Sequence, residues 1–378
     1  QILSPAAIKM PMGELAFKSG FKHAEIRALK IGVDASLWIM QCCMAFRRNH
    51  AQAGESPELR TIFHRLSHFS KYPLIAVFVF DGPGRPHRKR GKRVMTTPHW
   101  LTSGMQEMIE AFGFYVHLAP GEAEAELAEL NERGVIDAVC TEDVDALLFG
   151  AKYVLRNNPD IKPQFHQVCV YGAERIRDEG GIGLDRTAMI FIALCKGGDY
   201  DSTGLVGCGI QVAKKLALYG FGRSLYDAIQ SLRADELSTF LEGWRERVRE
   251  ELRNDSQGFL GCKQYKIAAA VRTSFPNITA AFAYAKPLTS WSNHEVPTLP
   301  TFELRHAEAV KIARICERLF AWGTVGGIIK RFQFAVLEGV CVRRLCNESR
   351  RNDRVAAGGT RKAPQVCCTF LRLLYVAL

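Results

Sequence analysis

ValIleAspAlaValCysThrGluAspValAspAlaLeuLeuPheGly, residues 135–150, is the stretch that decides the fold. Val135 to Cys140 is an apolar run of strand length, and Asp143 and Asp145 stand just past its end. IleGlyValAsp (31–34) and LeuIleAlaValPheValPheAsp (74–81) repeat the pattern: a buried strand that ends in a carboxylate. Between them, Leu59, Ile62, Phe63, Leu66 and Phe69 mark one face of a helix that starts at Ser56-Pro57. Further on, the pattern predicts a helix over 98–112, a strand over 114–118 and a helix over 121–132. Strands alternating with helices, with acidic residues at strand carboxyl ends, predict an α/β fold with a mostly parallel central sheet flanked by helices. Sites in such folds lie at the carboxyl edge of the sheet.

A second acidic string, AlaProGlyGluAlaGluAlaGlu (119–126), sets more carboxylates near that edge. Two unit charges about 4 Å apart repel by about 4 kcal/mol at an effective dielectric of about 20, so such a cluster calls for cations. Oxygen-only ligands suit Mg²⁺ or Mn²⁺, and paired ions of that kind carry out phosphoryl chemistry. Each carboxylate alone also has a plain structural reading. Helix starts favour negative charge, which covers Glu122 and Glu124, and Asp143, Asp145 and Asp199 fit turns. Regular helical spacing would pair Glu122 with Glu126; Glu122 and Glu124 converge if Glu122 is a cap outside the regular helix.

The composition fits a nucleic-acid partner. Lys and Arg number 50 against 39 Asp and Glu, a formal charge of +11, around a locally acidic site. ArgProHisArgLysArgGlyLysArg (85–93) concentrates Arg85, Arg88, Lys89, Arg90, Lys92 and Arg93 directly after Asp81. A solvated loop or a nuclear-localisation signal is the plain alternative. The twelve Cys show no zinc spacing, which fits a reducing compartment, and no apolar run approaches a membrane span. Three regions follow: an α/β core over 1–183 with a basic segment at 82–98, a helical region over 184–331, and a partial or disordered tail over 332–378. In the helical region, GlyCysGlyIleGlnValAla (207–213) with Lys214 and Lys215 is a glycine turn opening a helix, able to present amides to a phosphate.

In this order the motifs resemble those of the flap-endonuclease/XPG nuclease superfamily: PheValPheAspGly (78–82), GlyGluAlaGluAla (121–125), ThrGluAspValAsp (141–145), GlyGlyAspTyr (197–200) and the helix–two-turn–helix at 207–213. The resemblance covers about 31–226. It implies a PIN-like nuclease core in which Asp34, Asp81, Glu122, Glu124, Asp143, Asp145 and Asp199 hold two Mg²⁺ ions, Mn²⁺ substituting. It implies a catalytic cation at Arg88 or Lys89, and DNA contacts from Arg85, Arg90, Lys92, Arg93, Lys214 and Lys215. Gly207 and Gly209 would frame a K⁺ ion and a DNA phosphate.

SerLeuTrp (36–38), TyrValLeuArgAsn (153–157) and GlyLeuAspArg (183–186) resemble the GEN/Yen-type Holliday-junction resolvases. GlnIleLeuSerPro at the start is similar to part of that branch's opening, so the expectation is that the natural start, with the family's N-terminal Gly, is missing. The span from Asp81 to Glu122 is short for a threading arch. The expected function is therefore two-metal hydrolysis of branched DNA, by paired nicks on a four-way junction. The expected protein is a monomer when free, a dimer on the junction, nuclear and without a membrane partner. A 5′ flap endonuclease of the same superfamily and a catalytically inactive, truncated DNA-binding homologue are the alternatives.

Overall fold

The computed structural model describes residues 2–22, 26–46, 55–89, 91–94, 97–158, 161, 165–178, 182–293, 296–320, 322 and 324–357; for 88, 92, 93 and 352–357 it describes the backbone alone. The strands are β1 (Ile8–Pro11), β2 (Leu29–Asp34), β3 (Leu74–Phe80), β4 (Arg88–Lys89), β5 (Lys92–Arg93), β6 (Tyr115–Leu118), β7 (Ala138–Cys140), β8 (Tyr153–Asn157) and β9 (Gln167–Gly172). The helices of the first half are α1 (Met12–Gly20), α2 (Ala35–Phe46), α3 (Pro57–Ser70), α4 (Thr102–Ala111), α5 (Ala123–Glu132), α6 (Asp145–Leu148) and α7 (Ala173–Asp178). Those of the second half are α8 (Arg186–Lys196), α9 (Ile210–Ala217), α10 (Phe221–Ser231), α11 (Ala234–Asn254), α12 (Tyr265–Ala270), α13 (Ile278–Ala285), α14 (Ala309–Phe320), α15 (Val325–Ala335) and α16 (Leu337–Ala357).

Seven strands form one sheet in the order β1-β9-β8-β7-β2-β3-β6. From β6 to β8 every pairing is parallel; β9 and β1 add an antiparallel edge. β3 explains why the centre is so apolar. All seven of its residues are buried. Leu74, Ala76, Phe78 and Phe80 face one core with α2, α3 and α4, while Ile75, Val77 and Val79 face another with α5 and the helical region. A strand covered on both faces must be apolar at every position, and each large side chain so buried contributes about 1.5–3 kcal/mol. The chain runs from β2 outward through β3 to β6, then crosses back to β7 on the other side of β2. That reversal opens a crevice at the carboxyl edge.

The second core runs without a break from the sheet into α8, α10 and α11, so the helical region shares it with the α/β part. The boundary expected at 331/332 falls inside α15, and the segment read as a partial or disordered tail is helical as far as Ala357. Its anchor is Arg343 on α16, wholly buried. The guanidinium donates to Arg305 O at 2.6 Å and Leu74 O at 3.4 Å and lies 4.5 Å from the Phe114 ring centroid. Burial without a carboxylate pulls its pKa down to about 10. The expectations for 358–378 lie outside the described residues. Among the described residues no helix is long and apolar enough to cross a membrane.

Candidate metal centre and nucleic-acid interface

Four neighbouring strands deliver carboxylates to one edge. Asp34 is the last residue of β2, and its Oδ1 accepts the Leu37 N–H at 3.0 Å, capping α2. Asp81 follows β3; its Oδ1 accepts the Ala123 N–H at 2.9 Å. Gly82 makes this closeness possible. Its N–H donates to Gly121 O at 2.7 Å, and an added Cβ would run into the Ala119 carbonyl oxygen. Only a glycine lets the exits of β3 and β6 touch, which sets Asp81 beside the start of α5.

Glu122 is the cap of α5, extended at φ −85° and ψ 138°, outside the regular helix. It therefore turns to the cleft, where Tyr200 donates to it and Lys89 pairs with it. Glu124 follows in the first turn, amid Asp143, Asp34 and Asp145. Glu126 is wholly buried elsewhere: it is paired with His117 Nε2 at 2.8 Å and accepts the Ser290 N–H at 2.8 Å and Oγ–H at 2.5 Å. So Glu124 joins the site, and Glu126 ties α5 to the loop after α13. Glu126→Ala strips those buried donors of their acceptor and should destabilise the protein by about 2–4 kcal/mol. Urea unfolding measures the loss, and the folded variant's chemistry should be intact. Lost cleavage at unchanged stability would instead place Glu126 in the centre.

Past β7, the Asp143 N–H donates to Thr141 Oγ1 at 3.1 Å and its Oδ1 accepts the Asp145 N–H at 3.1 Å. This is a turn held by a short polar side chain, and it aims both carboxylates from one loop. Asp199 comes from the loop between α8 and α9 and lies 3.8 Å from Lys89 Nζ.

The electrostatics record crowding. Burial, and then Asp81, raise Asp34 to about 7. Burial, and then Asp143, Asp34 and Asp145, push Glu124 well above the usual carboxylate range. Burial works against the Lys89 ammonium, but Glu122, Glu124 and Asp199 outweigh it and raise its pKa. Arg85 also turns inward, 3.3 Å from Asp81 Oδ2. Among the described side chains, Lys89 and Arg85 thus pair with members of this group of seven carboxylates. Among the described residues no three acidic, His or Cys side chains close into a ready cage; Lys89, Arg85, Tyr200 and Tyr284 each contact one or more of the carboxylates. The donor set is oxygen-only, protonation-prone through mutual repulsion, and short of positive charge, which suits hard divalent cations.

The basic segment is a hairpin, β4 against β5, closed by the Val94 N–H donating to His87 O at 2.9 Å. It brings Lys89 into the carboxylates. The side chains of Arg88, Lys92 and Arg93, and all of Arg90, lie outside the described residues. Arg85, expected on DNA, pairs with Asp81 in this DNA-free structure. In the helical region Gly207 has φ +82°, which a side chain would strain, and Gly209 caps α9. Lys215 Nζ donates to Leu260 O at 2.9 Å and the residue is exposed; Lys214 is partly buried on the same helix. A cleft of about 630 Å³ joins Asp143, Asp145 and Asp199 to Gln211 on α9. Tyr200 and Tyr284 were not anticipated from the sequence. The first stands in the GlyGlyAspTyr motif, but nothing local marks the second.

Two family models match: the XPG N-terminal domain over residues 13–96 and the XPG I-region over 113–199. Together they contain all seven carboxylates. The chain is 33% identical to Flap endonuclease GEN-like 1 of Arabidopsis thaliana over 218 residues, half of this chain and 35% of the relative. It is 30% identical to Flap endonuclease GEN homolog 1 of Homo sapiens over 243 residues, 60% of this chain and 25% of the relative. The chain therefore spans about a quarter to a third of these relatives' length. A solved eukaryotic junction-resolving enzyme GEN-1 with cesium matches at TM-score 0.72 and 30% identity, over 91% of this chain and 79% of that one. The Holliday junction-resolving enzyme GEN1 in complex with product DNA and Mg²⁺ matches at TM-score 0.72 and 28% identity, over 90% and 77%. The mostly parallel sheet with flanking helices is the architecture these structures share.

Proposed function

Because this chain belongs to the flap-endonuclease/XPG nuclease superfamily, on its GEN-like side, we propose that it is a Mg²⁺-dependent, structure-specific endodeoxyribonuclease acting on branched DNA, foremost the four-way junction. The observation that carries this reading is the convergence of seven carboxylates and Lys89 at one sheet edge, open to a cleft that leads to the glycine turn of α9.

Two Mg²⁺ ions held by Asp34, Asp81, Glu122, Glu124, Asp143, Asp145 and Asp199, with Mn²⁺ as substitute, would supply Lewis-acid activation of water and of the phosphodiester. The chain's own groups do the rest. Lys89, released from Glu122 by the phosphate, offsets charge on the phosphoryl oxygens. The Gly207–Gly209 turn offers backbone groups to K⁺ and to a phosphate of the duplex arm, and Lys214 adds charge beside it. The cations of the basic run would add charge where the branch point enters. The same reading puts the protein at chromosomal DNA, in the nucleus.

Resolving a junction takes two cuts, so two copies must act on one DNA. On this reading, the rate on a four-way junction rises more steeply than first order with protein concentration below saturation. The rate on a 5′ flap rises in first order. Labelled substrates compared side by side measure both. Equal first-order behaviour on the two, with single unpaired nicks in the junction, would replace the resolvase by a flap endonuclease.

A further inference from the structure

Tyr284 lies on α13, beyond both segments matched to the family, and 139 residues from the carboxylate it reaches. It is 2% exposed. Its ring packs edge-on against Tyr200, with centroids 4.9 Å apart, and at 5.8 Å from Phe149. The hydroxyl is not needed for that packing. A buried phenol OH needs a partner, and here the OH donates to Asp145 Oδ2 at 3.5 Å, with the phenol oxygen set against the loop at Gly198. The loop closes tightly around it: an added Cβ on Gly198 would come within 2.8 Å of that oxygen.

The backbone of α13 is fixed from the other side. Arg186 Nε donates to Leu148 O at 2.9 Å, the end of α6, and its Nη2 to Tyr284 O at 3.5 Å. One guanidinium thus clamps α6 to α13, and one phenol ties the start of α6 to the Asp199 loop. Asp145 opens α6 and Asp199 follows α8, helices that pack on one another and are joined by Arg186 at the start of α8. Tyr284 adds a side-chain contact from a third helix at the carboxylate end of that pair.

We propose that Tyr284 is a positioning residue for the metal centre: its hydroxyl bridges the Asp145 carboxylate and the loop at Gly198, and holds Asp145 in the orientation that receives divalent cations. This rests on the metal-dependent reading above. It adds that the helical region, and not the α/β core alone, sets cation affinity.

The test is Tyr284→Phe, which keeps the packing and removes only the bridge. Mn²⁺ binding to the DNA-free chain, by calorimetry, should weaken by about five- to tenfold, the scale of one lost hydrogen bond to a charged group. The Mg²⁺ concentration for half-maximal junction cleavage should rise by the same factor, while the rate at saturating Mg²⁺ stays within about twofold of wild type. Melting without metal should be unchanged, which a merely structural role would not allow. Unchanged Mn²⁺ affinity in a folded Tyr284→Phe protein overturns the proposal. So does a lower saturated rate at unchanged affinity. Wild-type protein that binds Mn²⁺ but cuts no DNA would defeat the nuclease reading alone, since the calorimetric comparison still stands.

Discussion

Asp143→Asn lowers the junction cleavage rate at saturating Mg²⁺ by on the order of 10³-fold or more, the scale of losing one strong electrostatic contact to a reacting phosphate. The substitution is close to isosteric. The Asn side-chain oxygen can still accept the Asp145 N–H that Asp143 Oδ1 accepts at 3.1 Å, so the turn after β7 stays in place. What disappears is one negative charge in a crowded group. Asp143 is the largest charged contributor to the raised Glu124, so its neutralisation relieves repulsion, and the metal-free variant should melt no lower than wild type. DNA affinity should change by less than about twofold, because affinity comes from cations along the backbone. Single-turnover cleavage of a labelled junction measures the rate, and scanning calorimetry the melting. A variant that cuts as fast as wild type would move the chemistry away from this edge.

Lys89→Met has two effects of opposite sign. Cleavage at saturating Mg²⁺ falls by about 10²–10³-fold, because no other described cation reaches Glu122 and Asp199 together. Yet cation binding to the DNA-free protein tightens, because the ammonium no longer competes for those carboxylates. Met keeps most of the apolar stem, so packing against Tyr200, whose ring centroid lies 5.8 Å from Nζ, changes little. Mn²⁺ calorimetry and single-turnover rates on the same preparation measure the pair. Weaker cation binding in the variant would show that Lys89 organises the carboxylates and does not compete with the ion.

The parts legible in the sequence are those where one physical demand acts locally. β2, β3 and β7 sit between two layers, so their residues had to be apolar, and the acidic residues at their ends stand out. The choice of Glu124 over Glu126 came from family resemblance, and the extended cap at Glu122 supplies its geometry. α2 is apolar on most of its circumference and has no clear period, which hid it. β1 is a short edge strand whose pairing with β9 joins residues about 160 positions apart, a contact no local window can register. Within the basic run the resemblance singled out Arg88 or Lys89 without choosing between them; the structure turns Lys89 to the carboxylates and, ahead of the hairpin, Arg85 to Asp81. Lys215 follows a glycine turn, and its donation to the carbonyl of Leu260 is a contact between distant segments that the sequence does not mark. Arg343 and Tyr284 were illegible for one reason. Each is an ordinary residue on an amphipathic helix until the fold buries it against a partner far away in the chain.

The central claim is that the carboxyl edge of the sheet holds divalent cations that cut branched DNA. It is tested most directly by incubating the whole chain with an end-labelled four-way junction in Mg²⁺ and, in parallel, in EDTA. The account predicts two nicks placed symmetrically across the branch point in Mg²⁺ and an intact junction in EDTA. A junction bound but uncut in Mg²⁺, or cut equally well in EDTA, would contradict it.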